Sequence, residues 1–494
     1  MRQRFEQRLS LRTVAIQDVK FPLKSRDELP PVLKALQYVF ITPELNKKVF
    51  ELLEKKICKD KKKTGRKGMD LWHILVLAVV RHALDTNWDR LHYLSNYDEL
   101  LRSIMGVHAT AFIEESKPEF NYQTIIDNVS LIDEDLLNEV NQIVVEAGYA
   151  LIKKKEEALR LKTDSYVLET NVHFPTDLNL LWDSSRKCLD IMKLLNEKSK
   201  LSGWRKIKYI RKTIKSQFRK TSHQVFKGRN EEQKRKEVQA YLRQATVLSE
   251  RCEEVIKNPP VIVLKPKTIA LLEELQKYGD FVKKFTDQIE RRLLKGEVIP
   301  ASEKVYSIFE EHTEWITKGK LNKKVELGHL LLITTDQYQF IVDYKVMEKQ
   351  KDPSQVKDLR ERLQKRPSLE NIYSHSFDKG FWSKSNLEVL QQSETKQVIL
   401  PKRGKLTKAE KEREGTKEFK ALRNAHSAIE SDINMLEHHG LNRCMDKGMH
   451  GFKRNVGLSV LAYNLHRLGN VLLEKEKQEA EKKQKRESVL RKAA

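Results

Sequence analysis

The spacing of apolar positions changes twice along the chain. Up to about residue 150 it is helical. Leu71, Leu75, Ala78 and Val79 share one helix face, and Trp88, Leu91 and Leu94 share the next. Leu100, Leu101 and Ile104 mark a third, short helix, and Asn87 stands where the second needs an N-cap. From Leu161 the texture is that of a strand: Lys162 to Thr170 (KTDSYVLET) mixes β-branched and aromatic residues with polar ones. Pro175 and Thr176-Asp177 then open a helix, and from Leu178 to about Pro300 long helices dominate. Glu231 to Asn258 is stopped by Pro259-Pro260, and Thr268 to Lys295 ends at Gly296. Two long helices so closely connected should pair antiparallel. Strand texture returns after Leu321. Glu326–Thr334 and Gln339–Met347, around Asp336-Gln337-Tyr338, read as a hairpin. A helix (Ser354–Lys365), a strand (Asn371–Phe377), a helix capped by Ser383 and a strand (Lys396–Leu400) stopped by Pro401 follow. From Thr407 on the pattern is helical, ending in a solvated tract from Lys475 to Lys492.

With Leu178 to Leu321 set aside, the order is three strands, then helix, strand, helix, strand, helix. That is an α/β domain with a mixed sheet, interrupted after its first strand by a long helical insertion and preceded by an all-α domain. The divisions fall at 1–150 for the helical N-terminal domain and 151–178 for the first part of the sheet domain. The insertion covers 179–321, the second part of the sheet domain 322–440, and a C-terminal helix with a charged tail 441–494. The compact helices between residues 71 and 105 suit a helix-turn-helix-like DNA-binding module, a generic helical bundle being the alternative.

Composition adds a partner. The chain has 494 residues, 39% hydrophobic and 33% charged, enough for sizeable cores. Its 94 Lys and Arg against 70 Asp and Glu give a net charge of +24, which points to a polyanion, nucleic acid first. The surplus is concentrated. Lys55 to Lys67 holds eight basic residues and one acid, as a flexible connector would. Gly203 to Lys236 holds thirteen against two, interleaved with Trp204, Tyr209, Phe218 and Phe226. Arg205, Lys206, Arg211 and Lys212 are its candidate phosphate contacts. The longest apolar run, Leu71 to Val80, ends at Arg81, too short to span a membrane. The N-terminus MRQRFEQRLSLR lacks the apolar core of a secretory signal. Cys58, Cys188, Cys252 and Cys444 form no CxxC pair, which fits a reduced, cytosolic chain, and no GxxxxGK[ST] loop suggests ATP.

Three acids occupy informative places. Asp164 lies on the first strand, and Asp378 at the carboxyl end of the fourth, where open α/β sheets bind ligands. Glu430 flanks the stripe Leu422, Ala425, Ile429, Ile433 and Leu436 of a late helix. Three converging carboxylates could hold two magnesium ions roughly 4 Å apart. With 70 acids in the chain, position alone does not single these out. Lys402 and Arg403 follow the last strand and suit a phosphate or a solvated loop. Asn171, His173 and Asp177 read more simply as a turn and a helix cap than as phosphate contacts. His438-His439-Gly440 reads as a helix C-terminus, where His complements the dipole and Gly turns left-handed. Glu326 reads as structural.

Several segments together resemble the DDE transposases of bacterial insertion sequences, in particular the ISNCY-like group. They are GRKGMDLWHILVLAVVRHALDTNWDRLHYLSNYDELLRSIMG, TDSYVLETNVHFPTDLNLL from Thr163, KGKLNKKVELGH from Lys318, FDKGFWSKSN from Phe377, LPKRGKL from Leu400, and IESDINMLEHHGLNRCMDKGMHGFKRNVGLSVLAYNLHRLG from Ile429. The resemblance covers roughly residues 60–180 and 318–470. It implies a ribonuclease-H-like catalytic domain with Asp164, Asp378 and Glu430 as the triad and as ligands of Mg2+, or Mn2+ in its place, two ions in all. The implied activity is hydrolysis at a transposon end, followed by attack of the freed 3′-hydroxyl on target DNA. Some relatives carry a Tyr-Arg-Glu-Lys signature around the third acid. Here Arg423 lies seven residues before Glu430, while His426 and Glu437 fill the neighbouring same-face positions.

The expected function is therefore a metal-dependent transposase acting on double-stranded DNA, both element ends and target. It would work as a homodimer on DNA, through the helices Glu231–Asn258 and Thr268–Lys295, in the bacterial cytoplasm at the nucleoid. A catalytically inactive DNA-binding repressor or architectural protein of the same fold is the alternative from another class. A structure-selective nuclease without strand transfer is a third.

Overall fold

The computed structural model describes residues 2–7, 14–59, 68–107, 119–154, 157–259, 266–317, 325–393 and 395–493. Most of the basic connector (60–67) and the opening of the segment from Lys318 (318–324) lie outside these residues. The chain forms two compact units, one of residues 1–171 and 316–494, the other of residues 172–315.

Seven strands form one mixed sheet: β1 (Leu159–Thr170), β2 (Glu314–Ile316), β3 (Glu326–Thr335), β4 (Ile341–Met347), β5 (Ile372–Phe377), β6 (Gln397–Ile399) and β7 (Arg443–Cys444). β3 runs antiparallel to both β1 and β4, and β5 runs parallel to both β1 and β6. The three-strand meander and the later parallel strands are those the sequence pattern called for. The short strands β2 and β7 were not foreseen. β1 is central, and both its faces are covered. Leu159 and Leu161 join Leu332, Phe340 and the N-terminal helices in one core. Tyr166 and Leu168 join Leu331, Ile333, Ile429 and Leu436 in another. β1 and β3 approach so closely at Gly328 that an added Cβ would stand 1.9 Å from the Leu168 carbonyl oxygen.

The N-terminal helices share the first of these cores with the sheet: Leu33, Leu75, Leu101 and Val144 are buried with Leu161 and Leu332. The long C-terminal helix (Gly448–Ala493) reaches both cores. Val456 and Val460 enter one, and Leu458, Leu461, Leu465 and Leu468 the other. Its continuation from Gln478 to Ser488 is exposed, as the charged tract predicts. No helix among the described residues is long and apolar enough to cross a membrane.

The second unit is a bundle of four helices, Asp177–Ser199, Ile207–Lys227, Glu231–Lys257 and Pro266–Ile289. Its own core contains Leu181, Leu189, Tyr241, Leu248, Val282 and Phe285. The last two helices pack on each other, as their short connection predicts. Val238, Tyr241, Leu242, Leu275 and Phe285 point into this bundle and are buried there. The apolar faces of the two helices proposed for dimer contact are thus already used within the chain.

Candidate active site

The parallel register of β1 and β5 decides the neighbourhood of the first two acids. The last paired residues are Thr163 and Phe377. The next step along both strands carries Asp164 and Asp378. Adjacent strands lie about 4.8 Å apart, close enough for two carboxylates to act on one ion. On one face Thr163 Oγ1 bonds His375 Nε2 at 2.7 Å. Strand alternation turns Asp164 to the opposite face, the one that carries Tyr166 and Leu168. Asp164 Oδ1 accepts from the Ser165 amide at 2.7 Å. Asp378 caps the short turn Lys379–Phe381, accepting from the Gly380 amide at 3.3 Å.

Glu430 comes from above that face. Its helix, Ala428–Leu436, is anchored by Ile429 and Leu436 on the Tyr166 and Leu168 side of the sheet, and Glu430 itself is exposed. The expected continuous helix is broken. One helix, Lys417–Ala425, ends at His426, and the next starts at Ala428. The backbone of His426 and Ser427 stays in the right-handed region, with i→i−3 hydrogen bonds across the turn. Ala425, expected in the apolar stripe, is exposed.

The turn meets the sheet through His426. His426 turns toward the sheet, and its Nδ1 lies 3.0 Å from Ser376 Oγ. Burial pushes its pKa down to about 4; Asp378 pulls upward and Lys162 adds to the depression. The His426 Nε2 is buried and has no hydrogen-bond partner among the described residues. Lys162, two residues before Asp164, lies 3.8 Å from Asp432, and the Tyr463 hydroxyl donates to Asp432 at 3.1 Å. Burial raises the Asp432 carboxyl, with Lys162 opposing. A further carboxylate, Asp352, accepts from Ser165 Oγ at 2.7 Å. A Cβ on Gly380 would stand 3.3 Å from Asp352 Oδ2 and 3.5 Å from Asp378 Oδ2, so both acids face the same glycine. Sequence reasoning missed Lys162, Asp352 and Asp432 and gave His426 no role here. The Asp352-Pro353 helix start was the one available signal.

Oxygen donors suit Mg2+ or Mn2+, and Asp164 and Asp378 are both carboxylates of that kind. Among the described residues no group of three or more His, Cys, Asp or Glu side chains is arranged to hold one. Glu430 therefore stands on the correct face without closing on the pair. No protein-family model matches the chain. No curated protein or solved structure matches it either.

The candidate DNA contacts divide by their partners. Arg205, Lys206 and Lys212 are exposed on or beside the helix Ile207–Lys227. Arg211 is half-buried and paired with Asp190. Lys402 is held by Glu410 at 2.8 Å and lies 5.2 Å from the Trp382 ring, whereas Arg403 and Arg423 are exposed. Thr176 caps the helix that begins at Asp177, accepting from the Asn179 amide, while Asp177 pairs with Arg292 and His173 lies 3.3 Å from Asp183. The cap reading holds for this stretch. His439 Nδ1 lies 3.0 Å from the Ala83 carbonyl, and Gly440 turns left-handed at φ 85°, as expected of a helix C-terminus.

Proposed function

We propose that this chain is a DDE-type DNA transposase with a ribonuclease-H-like catalytic core. The observation that carries the reading is the β1–β5 register, which puts Asp164 beside Asp378 on neighbouring parallel strands. The antiparallel meander continued by parallel strands agrees with that core, and the basic bundle interrupting it supplies a surface for a polyanion.

The reaction class is phosphodiester hydrolysis at the ends of an insertion sequence, followed by attack of the freed 3′-hydroxyl on target DNA. Asp164, Asp378 and Glu430 would hold Mg2+ or Mn2+, which activates water and stabilises the leaving oxygen. The protein holds Asp164 on β1 and Asp378 one residue beyond β5, where it caps the turn Lys379–Phe381. The helix Ala428–Leu436 delivers the third. The exposed cations Arg205, Lys206, Lys212, Arg403 and Arg423 bind backbone phosphates and orient the duplex. Both ends are processed in one complex, so the working unit is a homodimer on DNA in the bacterial cytoplasm.

The test is nicking of a supercoiled plasmid carrying the element's terminal inverted repeats, with Mg2+ or Mn2+, followed by strand transfer from precut ends. Both activities are expected. Binding without nicking under either metal would replace this reading with a DNA-binding protein of the same fold. Nicking without strand transfer would replace it with a nuclease.

A further inference from the structure

The bundle of residues 172–315 contains thirty Lys and Arg against twenty Asp and Glu. Gly203 to Lys236 alone has thirteen against two, so the rest of the bundle is close to neutral. The surplus belongs to one helix and its flanks.

That helix, Ile207–Lys227, contains no acid. At 100° per residue, Lys208, Lys212, Lys215, Arg219, Lys220 and Lys227 fall on a single arc of roughly 140°. All six are exposed, and none is paired with an acid among the described residues. Successive cations on such a face stand about 5–6 Å apart. The opposite side of the helix closes on the bundle through Ile207, Ile214 and Thr221.

The four aromatic residues interleaved with these cations go separate ways. Trp204 is buried under the Arg251 guanidinium, and Phe218 stacks on Trp182 within the bundle. Tyr209 and Phe226 point out on the cationic arc, 67% and 62% exposed. Neither ring has an aromatic or cationic partner among the described residues. They stand near the two ends of the track, about 25 Å apart along the helix. Cations alone serve any duplex backbone. Exposed rings among them serve bases whose faces are free, because a paired and stacked base offers no face to a side chain.

We propose that the solvent face of the helix Ile207–Lys227 binds single-stranded DNA, with Lys208, Lys212, Lys215 and Arg219 on successive phosphates and Tyr209 and Phe226 stacked on unpaired bases. This rests on the reading of the chain as a DNA-acting protein. It adds that the basic track receives a melted or flanking strand as well as the duplex backbone, and that only the single strand uses its rings.

The test is fluorescence anisotropy of the full chain without divalent cation, using a labelled twelve-residue oligo-dT and a labelled blunt duplex. In Tyr209→Ala with Phe226→Ala, oligo-dT affinity should fall ten-fold or more, with duplex affinity within two-fold of wild type and the salt slope unchanged. Tyr209→Trp with Phe226→Trp should restore oligo-dT binding. Neutralising Lys208, Lys212, Lys215 and Arg219 should flatten the oligo-dT salt slope by up to ~2.8, about 0.7 per phosphate. The proposal is overturned if the ring variant keeps its oligo-dT affinity, if it loses duplex affinity equally, or if the wild type binds oligo-rU more tightly than oligo-dT. Because no cutting is measured, a chain that passes these tests but never cleaves DNA sinks only the transposase reading. A chain that cleaves but fails them sinks only this one.

Discussion

Replacing Asp446 by Asn should cost the unit of residues 1–171 and 316–494 about 3 kcal/mol. Asp446 precedes the C-terminal helix, and its carboxylate lies 2.8 Å from Arg81 on the helix Leu71–Ala83, the two side chains only 7% and 8% exposed. Arg454 adds a contact at 3.4 Å. The Arg81 guanidinium also lies 4.0 Å over the Trp88 ring and 3.3 Å from His82. Burial holds His82 neutral, with its pKa near 3, so it does not repel Arg81. Removing one charge of such a pair leaves the other buried and unpaired, a loss of roughly 3–5 kcal/mol. The Asn amide oxygen still accepts a hydrogen bond, which favours the lower end. The assay is urea unfolding followed by tryptophan emission, where Trp88 reports directly on the pair. The separate transition of the four-helix bundle should not move. Burial alone would raise the Asp446 carboxyl, but Arg81, with Arg454, lowers it below the ordinary range. A depressed acid stabilises the fold above its unfolded pKa of about 4 and loses that contribution as pH falls through the folded value. The gap between wild type and variant should therefore be full from pH 5 to 8 and close only in stronger acid. A gap below 1 kcal/mol at pH 7, or one that closes between pH 8 and 5, would refute the reasoning.

Asp164→Asn, Asp378→Asn and Glu430→Gln should each abolish plasmid nicking while end binding in a mobility-shift assay stays within a few-fold; near-normal nicking by any one removes that residue from the triad. Neutralising Arg205, Lys206 and Lys212 should flatten the salt slope for duplex DNA by up to ~2.7. Arg211→Ala should leave that slope alone and instead lower the melting temperature of the bundle, because Arg211 is engaged with Asp190. Gly328→Ala puts a Cβ into the Leu168 carbonyl and forces β1 and β3 apart, a loss of about 3 kcal/mol or more by thermal or urea unfolding.

The order of the long elements was legible because strands of six to twelve residues show their alternation and long helices show their stripes. β2 and β7, of three and two residues, are too short for any period to appear and, unlike the three-residue β6 with its Pro401 stop, have no flanking marker. Asp164 and Asp378 could be placed on strands from the sequence. Their adjacency could not, since it depends on a parallel pairing between residues more than 200 apart. The late helix read as continuous because nothing local in Ala425-His426-Ser427 breaks it; only the fold shows His426 turned to Ser376. Charge was legible in sum but not in assignment. Arg211 and Lys212 are neighbours, yet one faces Asp190 and the other faces solvent.

The C-terminal helix has a consequence for how the protein is made. Val456, Leu458, Val460 and Leu461 complete the two cores that flank β1, so the sheet has no finished interior until they leave the ribosome. From Leu168 on β1 to Val456 the ribosome must add about 290 residues, which at roughly 5–20 residues per second takes some tens of seconds. The bundle of residues 172–315 carries its own core and meets no such delay. During synthesis β1 therefore waits, partly uncovered, while the bundle already folds. Until β3 emerges, about 160 residues after β1, the central strand is also unpaired and open to other nascent chains. Slower translation lengthens that exposure, so chaperones that cover the waiting strand should raise the yield of folded protein.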